Sequence, residues 1–266
     1  MIIRKTTDEI EAMADSGQIV ARCLVMLAGL CRPGVTTADL DRAAEKFIRT
    51  HGGEPAFKGY RGFPASICTS PNSMVVHGIP GEYKLDRGDV ISIDVGVEYE
   101  GWVADAAITV ALRPVSPVAS KLLKATREAL EAGVAQCVAG NRLGDVSHAV
   151  QERVERDDLS VFRSLVGHGI GRQMHEDPQV PNFGDPGRGP LIEEGMVFCV
   201  EPMVAAGRHG VRMGEDNWAI YSDDGSLTAH FEHTIAITAD GPRILTPWHE
   251  KNWPDSAKAE SGLVAG

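Results

Sequence analysis

Four carboxylates stand inside segments that otherwise read as buried β-strands, and this constrains the chain more than any other feature. Asp94 and Asp105 fall in "IDVGVEYEGWVAD", Glu201 in "MVFCVEPM" and Glu232 in "AHFEHTIAIT". An ionised carboxylate taken out of water is costly unless it is paired. A fold that buries these strands must bring the acids to cations, to hydrogen-bond donors, or to a proton.

The first two acids belong to a hairpin. With the turn centred between Tyr99 and Glu100 and eased by Gly101, Asp94 and Asp105 fall directly opposite each other. Cross-strand partners have Cβ atoms about 4.5–5.5 Å apart, and like charges there repel. Ile91, Ile93, Val95, Val97 and Val103 surround them, so water would screen the pair poorly. Three outcomes stay open from this stretch alone. The register differs and both acids are solvated on an outer face; one acid keeps its proton through a raised pKa; or a cation sits between them.

Histidines fall in equally unusual company. "GHGIGRQMHEDP" carries His168 and His175, and Gly167, Gly169 and Gly171 let its backbone pass close to a neighbour. "MVVHGIPGE" sets His77 between an apolar run and a turn, at the mouth of a loop. Four carboxylates are balanced by two divalent cations, whereas one cation would leave an excess of buried negative charge. Oxygen-rich ligation with a single imidazole suits Mn²⁺, Fe²⁺ or Co²⁺ better than a thiolate zinc site. Two such ions roughly 3.5–4 Å apart share a water and polarise a carbonyl, which is hydrolytic chemistry.

Composition excludes several other classes. The chain has 266 residues, 43% of them hydrophobic, enough for one large α/β domain or two small ones. A formal net charge of −11 argues against nucleic acid as the main partner. No stretch is expected to approach the roughly 18–20 apolar residues of a membrane span, and "MIIRKTTDEIEAMADSG" lacks the apolar region of a signal peptide. Cys23, Cys31, Cys68, Cys137 and Cys199 are scattered without C-x-x-C spacing, which argues against a disulfide framework and favours a reduced, cytoplasmic setting.

Periodicity predicts helices over 7–30, from Thr36 to Ile48, over 117–138 and over 143–154, with Thr36 and Asp39 forming a capping box. Strand patterns follow each helical pair. A shift of 106 residues aligns Cys31 with Cys137, Gly34 with Gly140, Asp39 with Asp145, Leu40 with Val146 and Ala43 with Ala149. These matches suggest a duplicated, pseudo-twofold α/β domain with any shared site near the axis.

The motifs "VVHGIP", "SIDVGVEYEGWVAD", "GHGIGRQMHE", "VEPMV" and "FEHTIAIT", in this order and spacing, resemble those of type I methionine aminopeptidases, which have the pita-bread fold. The resemblance covers nearly the whole chain, residues 2 to 248. It implies an α/β (α+β) domain over 1–250, with halves at 12–115 and 116–248 around a central antiparallel sheet, and a polar tail over 251–266. It also implies removal of the initiator methionine from nascent polypeptide N-termini when the second residue is small.

By the same resemblance Asp94 binds one metal ion, Asp105 and Glu232 bridge two, and His168 and Glu201 complete the second. The ions are Co²⁺, Mn²⁺ or Fe²⁺. Glu201 is the expected general base, and His77 and His175 are expected to contact the substrate amide or the developing oxyanion. Tyr60, Phe63, Cys68, Met174 and Trp218 match the methionine pocket, where ordinary core packing is the plainer reading. Met174 stands where the family often has Phe. "VADAA" around Asp105 departs from the more common Gly before it and Thr or Ser after it.

Expected partners are nascent chains and, for a cotranslational enzyme, the ribosome. No nucleic-acid or membrane surface is expected, and a monomer is favoured. The nearest rivals are a prolidase- or aminopeptidase P-like hydrolase of the same fold and a non-catalytic or creatinase-like relative. The first carries a sizeable extra N-terminal domain, and the second typically lacks some of the five ligands.

Overall fold

Helix α1 (Thr7–Leu30) opens on a capping box, Thr6 with Glu9, and α2 (Thr37–Thr50) on the expected one, where Thr36 and Asp39 bond each other's backbone amides. These two helices pack together, and α1 lies along the hairpin formed by Val90–Tyr99 and Trp102–Ala111. A second pair, α3 (Pro117–Ala135) and α4 (Leu143–Glu155), packs in the same way beside the later strands. Helix α3 stops three residues short of the expected end, as the chain turns at Gln136–Cys137 toward Gly140. Gly34 and Gly140 both take positive φ, 91° and 100°, and Asp39 and Asp145 both accept from the backbone amide that opens the next helix.

This computed structural model describes residues 1–249, so the expected tail over 251–266 lies outside the described residues. All strand pairing among the described residues is antiparallel. Among the described residues the antiparallel strands form four hydrogen-bonded sheets. Val90–Tyr99 pairs with Trp102–Ala111 on one side and with Glu54–Pro55 and Cys68–Pro71 on the other. A five-stranded sheet runs Gly241–Ile244, His233–Thr238, Val197–Val200, Val166–Gly169, Glu176–Pro181. Two three-stranded sheets complete the set.

Side-chain hydroxyls stitch the hairpin sheet to the five-stranded sheet and to the three-stranded sheet that holds Thr228–His230. Thr234 Oγ1 donates to Asp105 O at 2.7 Å and accepts from Asp105 N at 3.1 Å. Thr109 Oγ1 donates to His230 O and accepts from His230 N, each at 2.8 Å. Between them Glu232 N donates to Ala107 O at 2.9 Å. The backbone groups of Asp105 and His230 at this seam thus keep partners, as burial requires.

The hairpin register corrects one expectation. Tyr99 pairs with Trp102, so the turn is Glu100–Gly101, with φ of 50° and 77°. Positive φ at both central residues matches the strand twist, which is why Gly occupies the second. Asp105 therefore faces Gly96 and Asp94 faces Ala107. A second correction concerns α1. By length and composition alone an 18-residue window of it is apolar enough to cross a membrane. Small and polar residues such as Asp15, Ser16 and Gly17 interrupt its apolar run and obscure it along the sequence. Most of that window is buried within the fold.

Candidate metal centre

The register shift of two leaves both aspartates on the same face, because side chains alternate with period two. Asp105 and Asp94 are diagonal neighbours across the hairpin. Ligand atoms of Asp94, Asp105 and Glu232 lie within 4.8 Å of one another. Glu201 follows the strand Val197–Val200, with its carbonyl held by Asn182 Nδ2 at 2.9 Å. Glu232 sits between two strands, its carbonyl held by Trp248 Nε1 at 3.0 Å.

His168 enters from Val166–Gly169, at a register shift between His168 and Gly169 that re-aims the side chain. The glycines beside it serve neighbouring strands: a Cβ on Gly167 would lie 2.3 Å from Cys199 O, and one on Gly169 2.0 Å from Asp177 O. His168 Nδ1 donates to Gly169 O at 2.9 Å, which leaves the Nε2 lone pair toward the acids. That nitrogen is 3.7 Å from Glu201 Oε1 and 3.9 Å from Asp105 Oδ2.

Burial dominates the electrostatics. Asp94, Glu201 and Glu232 have carboxyls held well above their ordinary range, first by burial and then by the other acids around them. Asp105 is pushed up to about 7, again by burial first. Burial lowers His168 and His77. It also takes His175 down to about 3, with the neighbouring His168 second. The imidazoles therefore stay neutral, as metal ligands and neutral donors must.

The residues present fit a divalent metal centre. Asp94 Oδ1, Asp105 Oδ1, Glu201 Oε1 and Glu232 Oε1 are buried and have no hydrogen-bond partner. Orphaned buried acceptors of this kind are uncommon, and here they converge on one point. The donor set of four carboxylates and an imidazole suits a hard or borderline ion.

All the predicted side chains line a single cavity of about 220 Å³. They are Asp94, Asp105, His168, Glu201 and Glu232 at its floor, with His77, His175, Tyr60, Phe63, Cys68, Met174 and Trp218 around it. Tyr60 Oη bonds His175 Nδ1 at 2.9 Å, and the two rings stack with centroids 5.4 Å apart. Phe63 meets Trp218 edge to face at 5.1 Å and Phe57 at 6.5 Å. Phe63, Cys68 and Met174 belong to a buried apolar cluster and also face the cavity, so core packing and pocket lining coincide. His77 holds φ at 60°, a strained conformation of the kind concentrated at functional sites.

Sequence reasoning missed His230, which lines the same cavity with Glu201 and Glu232. Its signal was the two-residue spacing to Glu232 in "AHFEHT", which suits one face of a strand. Cys199, grouped with His168 and Glu232, was also missed as a neighbour of the site.

Residues 11–239 match metallopeptidase family M24. The chain is 52% identical over 247 residues to a methionine aminopeptidase of Clostridium acetobutylicum, covering 92% of this chain and 99% of the relative. It is 47% identical over 246 residues to methionine aminopeptidase 1 of Bacillus subtilis, covering 92% and 99%. The crystal structure of methionine aminopeptidase from Thermotoga maritima superposes with a TM-score of 0.91 at 44% identity, covering 92% of this chain and 99% of that one. Prolidase from Pyrococcus furiosus shares the fold alone, with a TM-score of 0.72 at 21% identity over 92% of this chain and 65% of that one. Five ligand-type side chains on one cavity, in a chain this similar along almost its whole length, lead to one assignment: the protein belongs to metallopeptidase family M24, among its methionine aminopeptidases.

Proposed function

We propose that this protein removes the initiator methionine from new polypeptides whose second residue is small. The observation that carries the reading is the convergence of four unpartnered buried carboxylates and His168 beneath an apolar, aromatic-lined cavity. Relatives named methionine aminopeptidase, 47% and 52% identical, support the substrate.

Asp94, Asp105, His168, Glu201 and Glu232 would together hold two divalent cations, Co²⁺, Mn²⁺ or Fe²⁺. Bound there, such ions would supply Lewis acidity and would lower the pKa of the hydrolytic water. Glu201 would take the proton of that water and return it to the departing amine. His175 stays neutral, and with the Tyr60 hydroxyl donating to its Nδ1, Nε2–H would be the donor toward the substrate oxygen. His77 at the mouth orients the substrate amide. Phe63, Cys68, Met174, Trp218 and Tyr60 receive the methionine side chain, whose sulfur suits aromatic contacts. Each methylene-sized change there is worth about 1–3 kcal/mol of discrimination.

The two-half organisation, 12–115 and 116–248, belongs to the same proposal. Asp94 and Asp105 come from the first half, and His168, Glu201 and Glu232 from the second. The setting we propose is the cytoplasm, with a monomer acting on nascent chains at the ribosome.

Cleavage of Met-Ala-Ser against Ala-Pro and Gly-Pro tests the reading. Chelation should abolish release of methionine, and Mn²⁺ or Co²⁺ should restore it. Faster cleavage of the proline dipeptides would overturn it.

A further inference from the structure

We propose that His230 is a sixth protein donor of the metal centre, taking part through Nε2 in a corner formed with Glu201 and Glu232. The inference rests on the metal-centre reading above and adds a residue to it.

His230 Nε2 lies 3.6 Å from Glu232 Oε2 and 3.8 Å from Glu201 Oε2. These separations are too long for hydrogen bonds. They match the spacing of two donors on one ion, since atoms bound at about 2.0–2.2 Å and ordinary angles stand roughly 3–4 Å apart. The contact repeats that of His168, whose Nε2 is 3.7 Å from the other oxygen, Glu201 Oε1. Glu201 therefore stands between two imidazoles, one facing each oxygen.

The ring has no alternative partner for this atom. His230 is 2% exposed, and its Nε2 is buried without a hydrogen bond. A buried imidazole nitrogen left in this state costs free energy that a cation would recover. The backbone is held for the purpose: Thr109 Oγ1 bonds both N and O of His230, and Ser92 Oγ lies 2.9 Å from that same hydroxyl. Met203 pairs with His230 across the neighbouring strand. A donor fixed on rigid strands in this way is preorganised for a metal.

The test compares wild-type protein with His230→Gln and His230→Ala, stripped of metal and titrated with Co²⁺ by calorimetry and visible absorption. The expected result is at least a tenfold loss of affinity for one Co²⁺ in both variants, with a changed absorption band. Co²⁺-loaded wild-type protein supplies a measurement that needs no variant. Its paramagnetically shifted ¹H NMR spectrum should show two exchangeable imidazole N–H signals, from His168 and His230. A single such signal, or unchanged affinity and absorption in His230→Gln, would overturn the assignment. Wild-type protein that binds no Co²⁺ would overturn the metal-centre reading itself, and the His230 proposal with it.

Discussion

Asp105 pairs across the hairpin with Gly96, which sets its carboxylate diagonally from that of Asp94 on the same face of the sheet. Removing one of two mutually repelling buried acids relieves the metal-free protein and disables the loaded one. Asp94→Asn should melt, without metal, at or above the wild-type temperature. Its methionine release with saturating Mn²⁺ should fall at least about 100-fold. A variant with full peptidase activity would sink the dinuclear assignment.

The same pair sets a pH dependence. Asp105 is raised to about 7 in the folded chain, against about 3.9 unfolded. A raised folded pKa contributes stability that is complete below the unfolded value and is lost as pH rises through the folded one. Metal-free protein should therefore lose stability between about pH 4 and 7. Metal binding needs deprotonated carboxylates and neutral His168, so its affinity should drop below about pH 6. Chemical denaturation with and without Mn²⁺ across this range reads both trends, and flat metal affinity from pH 5 to 8 would count against the ligand set.

Thr234 joins the hairpin to the five-stranded sheet through two bonds to the backbone of Asp105. Thr234→Val keeps the shape and leaves a buried amide and a carbonyl unpaired. It should cost about 1–3 kcal/mol in denaturant unfolding and weaken metal binding, because Asp105 loses its anchor.

Lys5 and Glu176 form a buried ion pair at 2.7 Å beside His175, with side chains 2% and 6% exposed. Lys5→Met should destabilise by roughly 3–5 kcal/mol, since it strands a buried carboxylate. The double variant with Glu176→Gln should recover much of that loss. Equal melting temperatures for the single and double variants would refute the pairing argument.

Tyr60→Phe removes the hydroxyl that bonds His175 Nδ1. It should lower kcat by about tenfold, the worth of one hydrogen bond to a catalytic group, and leave Co²⁺ affinity unchanged. A parallel loss of metal would place Tyr60 among the structural supports of the centre.

Much of this was legible along the chain. Thr36 and Asp39 announced the start of α2, and the bounds of α1 followed from 3.6-residue periodicity, because both signals are local. Glu201 and Glu232 stood out because apolar strands have no ordinary use for a carboxylate. The hairpin register was misjudged by two residues, since it depends on which pair of residues can take positive φ. Period two preserved the facing of both acids despite that error. His230 went unread because a histidine in an apolar strand is usually a satisfied core residue, and nothing local shows that its Nε2 lacks a partner.

By itself, then, the sequence determined the elements, the apolar strands and the acids they carry. Those are properties of neighbouring residues and their periodicity. The tertiary structure alone decided that Thr234 and Thr109 would stitch three sheets together, bringing Asp105, Glu201, Glu232, His168 and His230 from distant segments to one cavity. Convergence across more than a hundred residues is set by how sheets pack, and the free energy that drives the packing comes from the apolar faces rather than from the acids they gather.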